Sequence, residues 1–115
     1  QLIAPTTNIK RMKEIIKISH EMVYMISMIS TTGSALKVTT KKIMKNYECI
    51  KKINPTKNIA IGFGITEKTI GSLKEADGLV VGSAICKEIT NSIKKRQNVV
   101  INVTNMVRRL KNKIK

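Results

Sequence analysis

Residues 76–85 read Ala-Asp-Gly-Leu-Val-Val-Gly-Ser-Ala-Ile, and this stretch decides the fold class. Its centre, residues 78–81, is a continuous apolar run of the kind found in strands that are covered on both faces. Gly82 and Ser83 end the run, and helical spacing of apolar residues begins at Ala84 and extends to Ile93. A buried strand that turns through a Gly-Ser pair into a helix predicts one βα unit of a parallel sheet.

The same order of strand and helix occurs three more times before this stretch. Strands are predicted at residues 2–4, 22–26 and 58–63, and the helices that follow them at about 8–19, 40–53 and 66–74. A last helix, at about 99–110, is predicted after the opening stretch. The residues that we expect to begin helices are Thr7 or Asn8, Thr39 or Thr40, and Thr66, and Asn54-Pro55 is expected to end one. On the first and last helices, the residues expected to face the core are Met12, Ile15, Ile16, Ile18, Val103, Met106, Val107 and Leu110.

Four βα units fit two α/β architectures, a small open sheet or half of an eight-unit barrel. A complete barrel takes about 250 residues, and this chain has 115. No linker or low-complexity tract divides it, so we expect one domain over residues 1–115. A half-barrel leaves an unpaired strand edge near residues 2–4 and another near 78–81, and such edges pair with other chains. The start at Gln1, inside a predicted strand, leads us to expect a piece of a longer chain or of a split enzyme.

The chain is strongly basic, with a formal net charge of +15. Such a charge is typical of proteins that bind nucleic acids or anionic membranes. However, the basic residues are spread along the chain, and the only aromatic residues available for base stacking are Tyr24, Tyr47 and Phe63. We therefore expect weak adhesion to polyanions and no specific nucleic-acid partner. A biased base composition of the coding sequence is the alternative explanation of the charge.

Histidine and cysteine residues predict no metal site. His20 is the only histidine, and neither Cys49 nor Cys86 has a second ligand at metal-binding spacing. Both cysteines are expected to be small buried apolar residues in a reducing compartment. No apolar run approaches the roughly 20 residues that span a bilayer, so we expect a cytoplasmic protein without a membrane partner.

Small residues follow the ends of three successive predicted strands. The clusters are Thr32-Gly33-Ser34, Gly62-Phe63-Gly64 and Gly82-Ser83-Ala84. Ligands of parallel α/β proteins bind at this edge of the sheet. Glycine lets backbone N–H groups approach a phosphate, and Gly82-Ser83 also begins a helix whose free N–H groups attract anions. A single cluster would be explained by a tight turn between a strand and a helix. Three clusters at successive strand ends instead favour a shared phosphate site.

Several motifs give the chain a resemblance to a known family. They are Leu2-Ile3-Ala4-Pro5-Thr6, Val23-Tyr24-Met25-Ile26-Ser27, Thr32-Gly33, Ile61-Gly62-Phe63-Gly64-Ile65 and the stretch at residues 76–85. In this order and spacing the chain resembles the C-terminal half of the tryptophan synthase alpha chain, a TIM-type (β/α)8 barrel. The resemblance implies a carbon–carbon lyase that cleaves indole-3-glycerol phosphate to indole and glyceraldehyde 3-phosphate. It implies no cofactor here, because pyridoxal phosphate belongs to the partner beta subunit.

The resemblance also implies roles for particular residues. Gly33, Gly62, Gly64, Gly82 and Ser83 would bind the substrate phosphate. Tyr24 and Phe63 would line the pocket for the indole and glycerol groups, and Thr32 would belong to a loop that closes over the substrate. The expected partners are the beta subunit, the N-terminal half of the barrel and a small phosphorylated substrate.

Two departures from the family pattern bear on activity. Met28 and Ser30 stand where the family usually has arginine and glycine, which puts loop closure in doubt. The acid–base carboxylates of the family belong to the first half of the barrel, so we expect no catalytic residue in this chain and no activity from it alone. The alternative function is a degenerate half-barrel that binds phosphate esters without catalysis.

Overall fold

Four parallel strands in chain order form a single sheet in the computed structural model, which describes residues 1–27, 39–62 and 64–115. The strands are β1 (Leu2–Ile3), β2 (Met22–Ile26), β3 (Asn58–Gly62) and β4 (Gly78–Val80). In the register, Ile26 lies beside Gly62 and Gly62 lies beside Val80. The last residues of β2, β3 and β4 are therefore level at one edge of the sheet.

Helices connect and follow the strands. They are α1 (Ile9–Ile18), α2 (Thr40–Ile53), α3 (Ser83–Lys94) and α4 (Val99–Lys113), with a short 3-10 turn at Ile70–Leu73 between β3 and β4. Asn8 caps α1 and Thr39 caps α2, because each side chain accepts a hydrogen bond from the backbone N–H three residues on. α2 ends before Asn54 and Pro55, as predicted.

The core lies on one face of the sheet. Val23 and Met25 of β2 and Ile59 and Ile61 of β3 point to this face and are almost completely buried, and α1, α2, α4 and the 3-10 turn pack over them. The opposite face carries the alternate residues, among them Leu2, which is 59% exposed, and Val80, which is 44% exposed. A sheet covered by helices on one face and open on the other has the form of a piece of barrel wall.

Several predicted positions were wrong. Ile18 and Val107 are exposed, because each lies beyond the edge of the buried side of its helix, about 110° and about 70° from its centre at 3.6 residues per turn. Cys49 and Cys86 are exposed free thiols, on the outward sides of α2 and α3. The predicted helix at 66–74 is only the four-residue 3-10 turn, and Thr66 accepts turn hydrogen bonds through its backbone carbonyl instead of capping a helix.

Within the described ranges, no helix combines the length and the apolar character needed to cross a membrane.

Candidate phosphate-binding site

The three small-residue clusters were predicted to meet at one edge of the sheet, and the structure describes most of two of them. Gly64 lies two residues beyond Gly62, and Gly82 lies two residues beyond Val80, the partner of Gly62 in the register. Neighbouring strands lie about 4.8 Å apart, so we expect Gly64 and Gly82, each two residues beyond this pair, to lie near each other. Thr32, Gly33 and Phe63 lie outside the described residues, as do Met28 and Ser30.

Gly62 is closely surrounded by its neighbours. A Cβ atom built on Gly62 would overlap the phenol oxygen and Cζ of Tyr24, so the Tyr24 ring lies directly against the Gly62 backbone. The carbonyl oxygen of Gly62 accepts two hydrogen bonds from Ser27, one from the backbone N–H at 2.9 Å and one from the hydroxyl at 2.7 Å. A side chain at position 62 would therefore require the Tyr24 ring to move.

Gly64 is needed for a different reason. Its φ angle is 71°, in the left-handed region that side chains with a Cβ rarely adopt. The backbone therefore turns sharply just after β3. Such a turn directs successive N–H groups to a common point, which is the geometry of an anion-binding concavity.

Gly82 and Ser83 begin α3 with open space around them. A Cβ atom built on Gly82 would have no other atom within 4 Å. The Gly82 carbonyl accepts the N–H groups of Ile85 and Cys86, and the first turn of α3 contains no acidic residue. The start of this helix is thus exposed, unopposed by negative charge and able to attract an anion.

The seven acidic residues all lie in the described part of the chain. Glu14 pairs with Arg11 on α1 at 3.2 Å, and Glu67 pairs with Arg109 of α4 at 2.9 Å. Asp77 precedes β4 at the opposite edge of the sheet. The remaining acidic residues lie on helices, in a loop or before a strand: Glu21, Glu48, Glu75 and Glu88. None of these acidic residues directly follows the end of a strand.

Asp77 joins three segments at the amino-terminal edge of the sheet. Its carboxylate accepts a hydrogen bond from the Ile59 N–H at 2.9 Å and pairs with Lys51 Nζ at 2.7 Å. Burial raises the pKa of this carboxyl, but the hydrogen bonds from Lys51 and Ile59 outweigh it and leave the pKa below its usual value. Burial and the nearby Asp77 charge raise the pKa of Tyr47. Asp77 thus connects three segments of the fold.

Two contacts near the site were not predicted from the residue pattern. Ser27 belongs to a family motif, but the residue pattern assigned it no role. A serine that directly follows an apolar strand does indicate a buried hydroxyl group. The bond between Glu67 and Arg109 joins residues 42 positions apart, and the local sequence contains no signal of it. Among the described residues, no group of three histidine, cysteine or acidic side chains could hold a metal ion.

Comparison with known proteins places this chain in a family. A family model described as tryptophan synthase alpha chain matches residues 1–115. The chain belongs to the tryptophan synthase alpha chain family. The predicted family resemblance is confirmed.

The sequence relatives carry the same family name. The tryptophan synthase alpha chain of Pelagibacter ubique is 68% identical over 114 residues, which are 99% of this chain and 43% of that protein. The tryptophan synthase alpha chain of Aquifex aeolicus is 40% identical over 88 residues, 73% of this chain and 32% of that protein. The chain therefore spans less than half the length of the relatives that it matches.

A solved structure shows the same fold at lower identity. Tryptophan synthase subunit alpha from Legionella pneumophila superimposes with a TM-score of 0.75 at 23% identity, over 98% of this chain and 40% of that one. The four-stranded parallel sheet with its helices is thus part of a TIM-type barrel, and the predicted fold class is confirmed.

Proposed function

We propose that this chain is the C-terminal, phosphate-binding half of a tryptophan synthase alpha chain. The complete protein would be a lyase that cleaves indole-3-glycerol phosphate to indole and glyceraldehyde 3-phosphate. Residues 1–115 would form one domain with the N-terminal half of the barrel, and indole would pass to a beta subunit that holds pyridoxal phosphate. The free, exposed Cys49 and Cys86 favour a reducing compartment, and we place the protein in the cytoplasm.

One observation carries the proposal. The register pairs Gly62 with Val80, and Gly64, with its left-handed φ angle, and Gly82, at the open start of α3, each lie two residues beyond that pair. At Gly82 no other atom lies within 4 Å of the position of a Cβ atom, and the first turn of α3 contains no acidic residue. A phosphate ester fits this chemistry because it carries negative charge and several acceptor oxygens, and backbone N–H groups at a helix start are a common phosphate ligand.

Each predicted site residue has a place in the proposal. The N–H groups of Gly64, Gly82 and Ser83, with the Ser83 hydroxyl, would bind the phosphate together with Gly33, and Gly62, at the end of β3, would belong to the same phosphate site. Tyr24 lies on the open face of the sheet beside Gly62, where it would line the substrate pocket with Phe63. Thr32 would support loop closure.

The acid–base step needs groups that this chain does not place at the site. Protonation of the indole ring and cleavage of a carbon–carbon bond need a carboxylate within hydrogen-bond reach. The N-terminal half would supply it, because none of the seven acidic residues directly follows the end of a strand. The same placement favours the second candidate function, in which the chain binds phosphate esters and catalyses nothing.

Titration with glycerol 3-phosphate tests the proposed site. We expect the backbone amide signals of Gly64, Gly82 and Ser83 to shift in a 15N–1H spectrum, and Gly82→Asp to abolish the shifts through charge repulsion and lost space. Gly71→Asp changes the net charge equally, in the 3-10 turn, and should leave binding intact.

Two results would contradict the phosphate site. One is the absence of shifts at these three residues, and the other is an equal loss of binding in both aspartate variants. If the chain instead binds DNA with a steep salt dependence and ignores glycerol 3-phosphate, the basic surface is the functional feature.

A further inference from the structure

We infer that Ser27 is a positioning residue of the phosphate site, which holds the end of β3 so that the turn at Gly64 meets the start of α3. The inference rests on the proposed phosphate binding and adds to it a residue that touches no ligand. It is carried by one hydrogen-bonded group, formed by Ser27 and Gly62 at the carboxyl ends of β2 and β3.

Ser27 makes two hydrogen bonds to a single acceptor. Its backbone N–H donates to the Gly62 carbonyl at 2.9 Å, which continues the pairing of β2 with β3. Its hydroxyl donates to the same oxygen at 2.7 Å, the usual distance for an O–H···O bond. The side chain is completely buried, with 0% exposure.

The hydroxyl changes what the strand pairing can do. A carbonyl oxygen has two acceptor sites, and Ser27 uses both, so the Gly62 carbonyl is held in direction as well as in distance. With the backbone bond alone, the Gly62 carbonyl would keep one acceptor site that water could occupy, and the carbonyl would be free to rotate. In a buried, weakly polar environment each bond is also stronger than at the surface.

Gly62 is held on its other side as well. Ser27 follows the alternation of Val23 and Met25 towards the helix side of the sheet, whereas Tyr24 lies on the open side against the Gly62 backbone. The last residue of β3 is therefore fixed between a hydroxyl and an aromatic ring. The Gly64 turn begins two residues later and takes its position from this point.

A fixed turn raises affinity through preorganisation. N–H groups that already point to a common centre lose less conformational entropy when an anion binds. A purely structural Ser27 would stabilise the fold and leave the affinity of the folded protein unchanged. The two roles are therefore separated by measuring phosphate affinity and unfolding free energy on the same variants.

The chain offers a matched control in Ser92. This serine is also buried, at 1% exposure, and its hydroxyl oxygen accepts a hydrogen bond from Asn102 Nδ2 at 3.0 Å. It lies on α3 nine residues after Ser83, about 13 Å along the helix, and faces α4. Ser92→Ala removes a partly buried hydrogen bond of another buried serine without touching the strand ends.

The experiment compares Ser27→Ala, Ser27→Cys and Ser92→Ala in the 115-residue chain. Glycerol 3-phosphate affinity is measured by amide shifts, and unfolding by urea. We expect Ser27→Ala to bind about 3- to 10-fold more weakly, the effect of one buried hydrogen bond, with the Gly64 amide signal displaced before any ligand is added. Ser27→Cys keeps nearly the same side-chain volume but has a weaker hydrogen-bond donor, so its affinity should lie between those of the wild type and Ser27→Ala. It tests the inference if Ser27→Ala does not fold. Ser92→Ala should lose stability and keep wild-type affinity.

Three outcomes would overturn the inference. Unchanged affinity in folded Ser27 variants would make Ser27 structural only, while the phosphate site itself stands. Equal weakening by Ser92→Ala would attribute the effect to general destabilisation. A wild-type chain that binds no phosphate ester would reject the proposed site, and the role of Ser27 with it.

Discussion

Asp77 belongs to the motif that decides the fold, and its carboxylate connects β4, β3 and α2. It accepts the Ile59 N–H and pairs with Lys51, which also donates to the Lys57 carbonyl at 2.8 Å. At the amino-terminal edge of a parallel sheet, such a group serves stability, because ligands bind at the other edge. The glycines of the same motif serve the candidate site, so one short stretch combines both roles.

Asp77→Asn tests the stabilising role. The folded-state pKa of Asp77 is lowered, so its contribution is present above the unfolded pKa of about 4 and disappears as the pH falls through the folded pKa. We expect the variant to lose about 1 kcal/mol at pH 7, the value of a charged hydrogen bond that is partly exposed. Urea unfolding at pH 7 and pH 3 should show the difference shrinking at pH 3. The neighbouring exposed Glu75→Gln is the control, and a difference that persists at pH 3 would contradict the assignment.

The glycines near the site are predicted to differ in their tolerance of a side chain. Gly62→Ala should destabilise the chain by about 1–3 kcal/mol, because its Cβ would overlap Tyr24 in a packed region. Gly82→Ala should change the stability by less than about 0.5 kcal/mol, since nothing surrounds that position. Thermal unfolding of the two variants checks this, and equal losses would mean that Tyr24 moves aside without cost.

Among the elements, α4 forms side-chain hydrogen bonds to the segment that follows β3. Arg109 donates through Nε at 3.1 Å and Nη2 at 2.9 Å to one oxygen of Glu67, and Lys113 Nζ donates to the Glu67 carbonyl at 2.7 Å. Arg109 and Lys113 are four residues apart and therefore share a face of the helix. The hydrogen bond from Arg109 lowers the pKa of Glu67.

Arg109→Gln should loosen α4 without unfolding the sheet. We expect faster amide hydrogen exchange in α4 and in residues 65–69, with β2 and β3 unchanged. High salt should produce part of the same effect in the wild type, because the contact is exposed and screened. Arg108→Gln, beside it on the same helix, should have no such effect. Faster exchange in both variants would point to a change in helix propensity and not to the Glu67 contact.

The elements differ in how far the sequence predicts them. β2, β4 and the caps at Asn8 and Thr39 follow from local patterns, namely apolar runs and a polar residue before a helix. The Glu67–Arg109 contact joins distant residues and has no local signal, and Ser27 does not reveal its acceptor until β2 and β3 are aligned. The glycine clusters were predictable as a group, but the reason for each glycine is different. At Gly62 the Tyr24 ring lies close to the backbone, Gly64 has a positive φ angle, and nothing packs against Gly82.

At the scale of the whole molecule, the sheet has one covered face and one open face. β1 and β4 each pair on one side only within the described residues, and Leu2 and Val80 expose apolar surface on the open face. In the longer relatives this chain corresponds to 43% or less of the protein. We therefore expect a partner made from the rest of a barrel to cover this face and to pair with both strand edges.

Hydrogen exchange tests this expectation on the chain with and without a partner. The amides of residues 2–4 and 78–81 should exchange fast in the chain alone, and they should become protected when the complementary part of the Pelagibacter ubique relative is added. β2 and β3 are the internal control, because their pairing is already complete. A monomeric chain in which both edges are protected without any partner would contradict the half-barrel account.

The central claim is that this chain supplies phosphate binding to a lyase completed by the rest of the barrel. The most direct measurement is indole release from indole-3-glycerol phosphate by the chain, by the complementary part of the Pelagibacter ubique relative, and by the two together. The account predicts indole only from the mixture, and none when the chain carries Gly82→Asp. Indole released by this chain alone would contradict the claim that the acid–base group comes from the rest of the barrel. A stable mixed complex that binds glycerol 3-phosphate but releases no indole would leave the chain as a phosphate-binding half-barrel without catalysis.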